Sequence, residues 1–244
     1  MLMSKFITLL KCEESRMLKY GITYASLGTS LIWIIMIQLI NVNPLDAYFP
    51  LFIYLDATMM SFLLIGAGMM FEKQENALKS LMVTPISKHY YLISKIVATV
   101  ISSVITLAIL LIYGVIFRDL SINYFGIFGG VILVSFVFAC CGILFTYKSQ
   151  DFTNLLMWVF IGTFVLAIPT LLQALHIITA NWFEWVQFIN PTRAALVILM
   201  ASVESPDTLE FSFSLAYLIG FAGILYYFVS KKFDVFSAKE YGGE

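Results

Sequence analysis

The stretch ITYASLGTSLIWIIMIQLI, residues 22–40, carries no charged side chain. As a helix rising ~1.5 Å per residue it is about long enough to cross a ~30 Å hydrocarbon layer. Asn41, Asn43 and Pro44 close it. Once this stretch is read as a membrane span, the rest of the chain falls into the same pattern. Further apolar runs occupy residues 51–71, 93–117, 125–147, 152–175 and 211–230, each bounded by polar or charged residues, with Lys231, Lys232 and Asp234 stopping the last. The second run holds one acid, Asp56, and the small residues Gly66, Ala67 and Gly68, where another helix can approach closely. Six spans are expected.

Composition agrees. Of 244 residues, 61% are apolar and 12% charged, about half the roughly 25% charge of soluble domains. The surplus requires lipid as solvent. In lipid an unpaired backbone amide costs several kcal/mol, and the runs are too long and too uniformly apolar for barrel strands, so an all-α polytopic membrane protein is predicted. No repeat, low-complexity tract or appended soluble domain interrupts it, and residues 1–244 read as one membrane domain.

An even number of spans puts both termini on one side. With the N-terminus inside, Lys5, Lys11, Arg16, Lys19, Lys73, Lys79, Lys88, Lys95, Lys148, Lys231, Lys232 and Lys239 lie at or near the inner face, and only Arg118 and Arg193 lie outside. This bias predicts a multi-pass protein of the cell (inner or plasma) membrane with cytoplasmic termini. Asp46, Asp119, Glu184, Glu204, Asp207 and Glu210 fall on the outer side. The net charge of -1, without a basic stripe, argues against nucleic acid as a partner. Cys12, Cys140 and Cys141 lack disulfide or metal-site spacing.

Residues 1–20 have no signal-peptide pattern. Met3, Phe6, Ile7, Leu10, Met17 and Leu18 recur at helical spacing, giving either an amphipathic helix at the inner membrane interface or a cytosolic leader helix.

The inner loop, residues 72–92, opens with EKQENALKS. Gln74, Ala77, Leu78, Leu81 and Met82 suit a short amphipathic helix whose exposed surface carries Glu72, Lys73, Glu75 and Lys79. Pro85 ends it, and Ser87 caps the next span. Such an element is either a docking knob for a soluble partner or a tight link between spans.

With LKSLMVTPISKHYYLISK at residues 78–95, after the acids Glu72 and Glu75, and KFITLLKCEE at residues 5–14, the chain resembles the membrane subunits of ABC-2 type ABC transporters, in particular the fluoroquinolone-export permease branch. The resemblance covers essentially the whole chain. It implies that the loop is a coupling helix on which an ATP-binding subunit docks, through Glu72, Glu75, Leu78, Lys79, Leu81 and Pro85. It also implies an N-terminal interfacial helix and a partly re-entrant hairpin before the sixth span.

The interval 174–210 supplies the hairpin candidate. Trp182, Phe183, Trp185 and Phe188 suit an outer headgroup boundary, Asn190 and Pro191 break the chain, and TRAALVILMAS, residues 192–202, is too short to cross. It is either half of a re-entrant hairpin or a flat interfacial helix, with Arg193 free to meet phosphate headgroups.

Asp56, about five residues below the outer end of its span, either lines an exit path or hydrogen-bonds another helix. Pro169 is expected to kink the fifth span, with Thr170 and Gln173 serving the freed carbonyls, as a gate hinge or a static kink. Met59, Met60, Met69 and Met70 line an apolar path or fill core.

No G-x-x-x-x-G-K-[S/T] phosphate loop occurs in the sequence, so no cofactor is expected on this chain, and ATP and Mg²⁺ belong to a separate ATPase. The expected function is export of a hydrophobic or amphipathic molecule (a drug, lipid or lipid-like peptide) by two permeases, identical or related, with two ATPase subunits. A non-transporting membrane scaffold or immunity subunit is the alternative. An intramembrane enzyme is disfavoured: His89 and His176 lie at opposite ends, and no nucleophile has a marked base.

Overall fold

The computed structural model describes residues 2–40, 44–75, 87–178, 180–204 and 207–242, and every regular element among them is a helix. Helix α1 (Leu2–Lys19) turns at Gly21, whose φ of 75° is one that glycine adopts without strain, into α2 (Ile22–Ile40). There follow α3 (Leu45–Gln74), α4 (Lys88–Arg118), α5 (Tyr124–Thr146), α6 (Phe152–Ala174), the short α7 (Asn181–Phe188) and α8 (Pro191–Met200), and α9 (Thr208–Gly242). Six of these helices, α2 to α6 and α9, are long and apolar enough to cross a membrane. The chain is an all-α, multi-pass membrane protein.

Polar residues punctuate the spans. Ser87 Oγ accepts from the His89 amide at 3.3 Å, as expected for the cap of α4. Asn123 and Asp151 cap α5 and α6 by accepting from Gly126 and Asn154 at 3.1 and 2.7 Å.

Helix α5 forms the centre, against α3, α4, α8 and α9, while α2, α6 and α9 leave most of their apolar surface outward. The α3–α5 approach is close enough that a Cβ on Gly142 would lie 2.6 Å from the Phe62 carbonyl oxygen, and α3 meets α6 as closely, since a Cβ on Gly66 would lie 2.8 Å from Leu155. The small-residue stretch at Gly66 thus serves the close packing anticipated for it.

The helices alternate in direction. At the loop end α1 packs on α4, and the root of the 72–92 loop and the α5–α6 turn meet the distal part of α9, where Lys88 Nζ is 2.5 Å from Asp234 Oδ2 and the Tyr147 and Phe236 rings are 4.6 Å apart. At the hairpin end, Arg118 donates to Gln38 at 3.1 Å and the Asn123 amide to the Ser202 carbonyl at 2.7 Å.

Two boundaries and one buried face differ from expectation. The second span begins at Leu45 rather than at residue 51. Asp46 sits in its first turn, where a carboxylate suits the helix dipole, and Pro50 is carried inside the helix. Asp56 therefore lies some eleven residues from the helix start, or ~16 Å along the axis, deeper than the five residues expected. The sixth apolar run does not end its helix at Lys231, Lys232 and Asp234, because α9 continues to Gly242; lysine and glutamate sustain a helix in water as well as leucine does. Finally, α1 buries Leu9, Glu13 and Met17, whereas Ile7 and Leu18 are exposed. The charge on Glu13 is drawn inward by partners that a hydrophobicity pattern does not see.

Candidate functional site

The partners of Glu13 form an ionic cluster at the loop end. Glu72, near the end of α3, is 1% exposed and Lys95 of α4 is 5% exposed. Lys95 Nζ donates to Glu72 Oε1 at 2.6 Å and to Glu13 Oε2 at 3.1 Å. Arg16 Nη1 reaches Glu72 Oε1 at 2.5 Å, and its Nη2 lies 3.0 Å from Glu13 Oε1 as an ion pair. Tyr91, one turn before Lys95, donates its hydroxyl to Glu72 Oε2 at 2.7 Å. Two carboxylates and two cations balance, which is the condition for burying them. Burial opposes the charge of Arg16, but Glu13 and Glu72 outweigh it and raise its pKa.

One turn on, a second clamp is exposed. Lys19 Nζ donates to Glu75 Oε1 at 2.9 Å and Tyr20 Oη to Glu75 Oε2 at 2.7 Å. The Tyr20 and Lys19 hydrogen bonds lower the Glu75 pKa, while burial and then the bond to Glu75 raise that of the Tyr20 phenol. Glu72 and Glu75 thus both tie the loop root to α1. This corrects the expectation that Glu72 lies on an exposed surface: its ion pairs hold it inside. Leu78, Lys79, Leu81 and Pro85 lie outside the described residues. The sequence reading missed Glu13, Arg16, Tyr91 and Lys95 as site residues. Its available signal was a lysine at the mouth of an apolar span, where an unpaired charge is expensive.

A second polar centre lies inside the bundle and carries no charge. Helices α3 and α6 each widen into one π-helical turn, at Asp56–Met60 and Thr163–Ala167; such turns often mark functional positions. Around the second, the Leu166 carbonyl accepts from Thr192 Oγ1 at 2.7 Å, Asn190 Nδ2 at 2.9 Å and Thr170 Oγ1 at 3.1 Å. The Ala167 carbonyl accepts from Tyr54 Oη at 3.2 Å. Thr170 Oγ1 is also 2.9 Å from Gln187 Oε1, a second acceptor for its single hydroxyl hydrogen. The carbonyls next to Pro169 are thereby served by Thr170 as expected, but by Tyr54, Asn190 and Thr192 in place of Gln173. This knot joins α3, α6 and the hairpin.

Asp56 is 3% exposed and accepts from Trp33 Nε1 at 3.0 Å, which makes it a partner between α2 and α3. Trp33 in turn meets Phe52 edge-on, with centroids 5.9 Å apart. Phe52 lines an apolar cavity of about 510 Å³ with Leu51, Leu55, Leu171 and Leu175. Met59 faces a separate pocket of about 60 Å³, whereas Met60 packs with Met17 and Ile22, and Met69 and Met70 are buried. Asp56, Met59 and Met60 therefore do not form one wall. At the hairpin end Trp182 and Trp185 are exposed, and Pro191 opens α8. Arg193 is bound to Glu210 at 3.0 Å rather than left free.

Residues 4–203 match the ABC-2 type transporter family. The chain is 22% identical over 202 residues to the fluoroquinolones export permease proteins of Mycobacterium tuberculosis strains CDC 1551 / Oshkosh and ATCC 25618 / H37Rv, covering 83% of this chain and 82% of each relative. With the family spanning most of the sequence and six membrane-length helices beneath it, the chain belongs to the ABC-2 type transporters, as a membrane permease.

Proposed function

We propose that this permease exports a hydrophobic or amphipathic molecule from the cell, with its termini in the cytoplasm and its energy supplied by a separate ATP-binding subunit. Two ATPase subunits close beneath two permeases, and the 72–92 loop receives the push. The observation that carries this reading is the ionic cluster. Glu72 binds α1 through Arg16 and α4 through Lys95, so a displacement of the loop root moves α1, α3 and α4 together. A loose surface loop would dissipate the same force.

The outward apolar faces of α2 and α6 supply surface for pairing with a second permease, identical or related. The cavity beside Phe52 and Leu171 supports an apolar route, since it presents few groups that could replace the hydration of a strongly polar cargo. Asp56 with Trp33 lies next to that route, and the Pro169 turn is its hinge. The relatives' name makes a fluoroquinolone the first cargo to try.

The test is reconstitution in vesicles with a candidate ATPase, measuring cargo-stimulated ATP hydrolysis and accumulation across a panel that begins with a fluoroquinolone. Leu78→Asp with Leu81→Asp is expected to abolish stimulation while the permease still folds. Unchanged coupling in that variant would overturn the docking assignment, and a correctly assembled complex that moves no cargo would favour a scaffold role.

A further inference from the structure

Helix α9 carries side-chain contacts both to the exit of the 72–92 loop and to the α7–α8 hairpin, and neither the ionic cluster nor the π-turn knot accounts for them. At the loop exit Phe233 is buried, and its ring lies 5.5 Å from that of the buried Tyr91. Tyr91 is the residue whose hydroxyl binds Glu72, so the loop root reaches α9 through one ring contact. Tyr226 Oη lies 3.0 Å from His89 Nδ1, and Asp234 pairs with Lys88, both at the start of α4. These two polar contacts are exposed and contribute little alone. The buried rings set the position.

At the hairpin end Glu210 Oε1 is 3.0 Å from Arg193 Nη2 of α8, and Phe213 stacks on Phe188 of α7 with centroids 4.9 Å apart. Tyr217 Oη donates to the Ile189 carbonyl at 2.6 Å. Contacts on successive turns of α9 thus hold both helices of the hairpin and the link between them.

Between the two sets the helix is continuous. Phe213 and Phe233 are about 20 residues apart, or ~30 Å along the axis, which is the width of a hydrocarbon layer. No proline and no π-helical turn interrupts α9, whereas α3 and α6 each carry both. Gly220 and Gly223 are exposed, and a Cβ built on either meets no atom within 4 Å, so no neighbour wedges the helix there. A displacement of Phe233 is therefore passed along α9, while α3 and α6 contain turns at which they can yield.

We propose that α9 is a transmission rod that makes the α7–α8 hairpin follow the loop exit across the membrane, gripped by Phe233 at one end and by Phe213 and Tyr217 at the other. The link is drawn from contacts within this chain, and the export reading supplies only the source of the push.

The test uses the full-length permease in nanodiscs, without nucleotide or ATPase, in a background with Cys12, Cys140 and Cys141 replaced by alanine. Spin labels on Leu39→Cys and Trp185→Cys, both exposed positions, read the hairpin against α2; labels on Leu39→Cys and Phe125→Cys read an α2–α5 distance that leaves the hairpin out. Phe233→Ala is expected to replace a narrow hairpin distribution by a broad or shifted one while the α2–α5 distance stays as in wild type. Phe233→Leu, which keeps an apolar contact with Tyr91, is expected to remain narrow. Phe213→Ala with Tyr217→Phe is expected to free the hairpin directly, and adding Phe233→Ala is expected to broaden it no further; unconnected sites this far apart would add. Should Phe233→Ala fail to fold, Lys88→Glu sets like charges together at the loop exit and is expected to disturb the hairpin, and Lys88→Glu with Asp234→Lys is expected to return it. An unmoved hairpin in the folded variants, additive broadening, or an equal change in the α2–α5 distance would overturn the link. Because no ATPase is present, failure here leaves the export reading standing, and failed transport leaves the link standing.

Discussion

The ionic cluster at the loop end and the π-turn knot inside the bundle solve the same problem with opposite chemistry. Each joins three segments that are distant in sequence: α1, α3 and α4 in the cluster; α3, α6 and the hairpin in the knot. The cluster uses four charges at the end where the 72–92 loop begins. The knot uses hydroxyls and amides against two backbone carbonyls. Buried charges hold strongly when balanced and fail sharply when one is removed, whereas neutral groups lose only a hydrogen bond's net value. The cluster ties α1, α3 and α4 into one unit; the knot lets a broken helix persist in an apolar interior without an orphaned carbonyl.

Removing one cation from the cluster is the most severe way to break that contrast. Lys95→Met leaves Glu13 and Glu72 facing Arg16 alone, and breaking a buried pair in this manner costs ~3–5 kcal/mol. Thermal unfolding in detergent is expected to show a large loss of stability or no folded protein. Combining Lys95→Met with Glu72→Gln restores charge balance and is expected to cost less than the two single losses added together. Strict additivity would mean that the groups do not act as one network.

Losses at the neutral centre are smaller. Thr192→Val keeps the shape but removes a donor to the Leu166 carbonyl, for an expected cost of ~1–3 kcal/mol. Thr192→Ser, which keeps the hydroxyl, is expected to stay near wild type. Gly142→Ala tests the packing that holds both centres in register. Its new Cβ would meet the Phe62 carbonyl oxygen at 2.6 Å, so α3 and α5 must separate, again at ~1–3 kcal/mol. An unchanged melting temperature in Gly142→Ala would show that the two helices are less tightly juxtaposed than the structure has them.

The two centres also differ in how far the sequence betrays them. The six spans were legible because 19 to 31 residues of apolar side chains leave no other solvent, and Ser87 was legible as a cap from its place before a span. The start of α3 was not, since Pro50 obscures a helix that begins before it. Glu72 was recognised as important and wrongly put outside, because linear pattern cannot say that Arg16, 56 residues earlier, and Lys95 reach it. The knot was half visible. Pro169 announces freed carbonyls, and Thr170 lies next to it, but Tyr54, Asn190 and Thr192 arrive from other segments and have no periodic signature.

The smallest expected effect separates the two layers of the loop-end clamp. Glu75 is exposed, so its bonds to Lys19 and Tyr20 are screened by salt and worth little by themselves. Its pKa is held below the ordinary 4.5 by the Tyr20 and Lys19 hydrogen bonds. A lowered carboxylate pKa gives a contribution that is complete above the unfolded value and disappears as pH falls through the folded one. The outer clamp is therefore expected to hold at neutral pH and to release only as pH falls below the ordinary glutamate range. Spin labels on the exposed Cys12 and on Gln74→Cys, with Cys140 and Cys141 replaced by alanine, report the distance between α1 and the loop root. The distribution is expected to broaden modestly in acid or high salt without a second, distant population, because Arg16 and Glu72 still hold the helix inside. Glu75→Gln is expected to be broadened already at neutral pH and to lose the acid transition. A wholesale jump to long distances on losing Glu75 alone would mean that the exposed pair, and not the buried cluster, anchors α1.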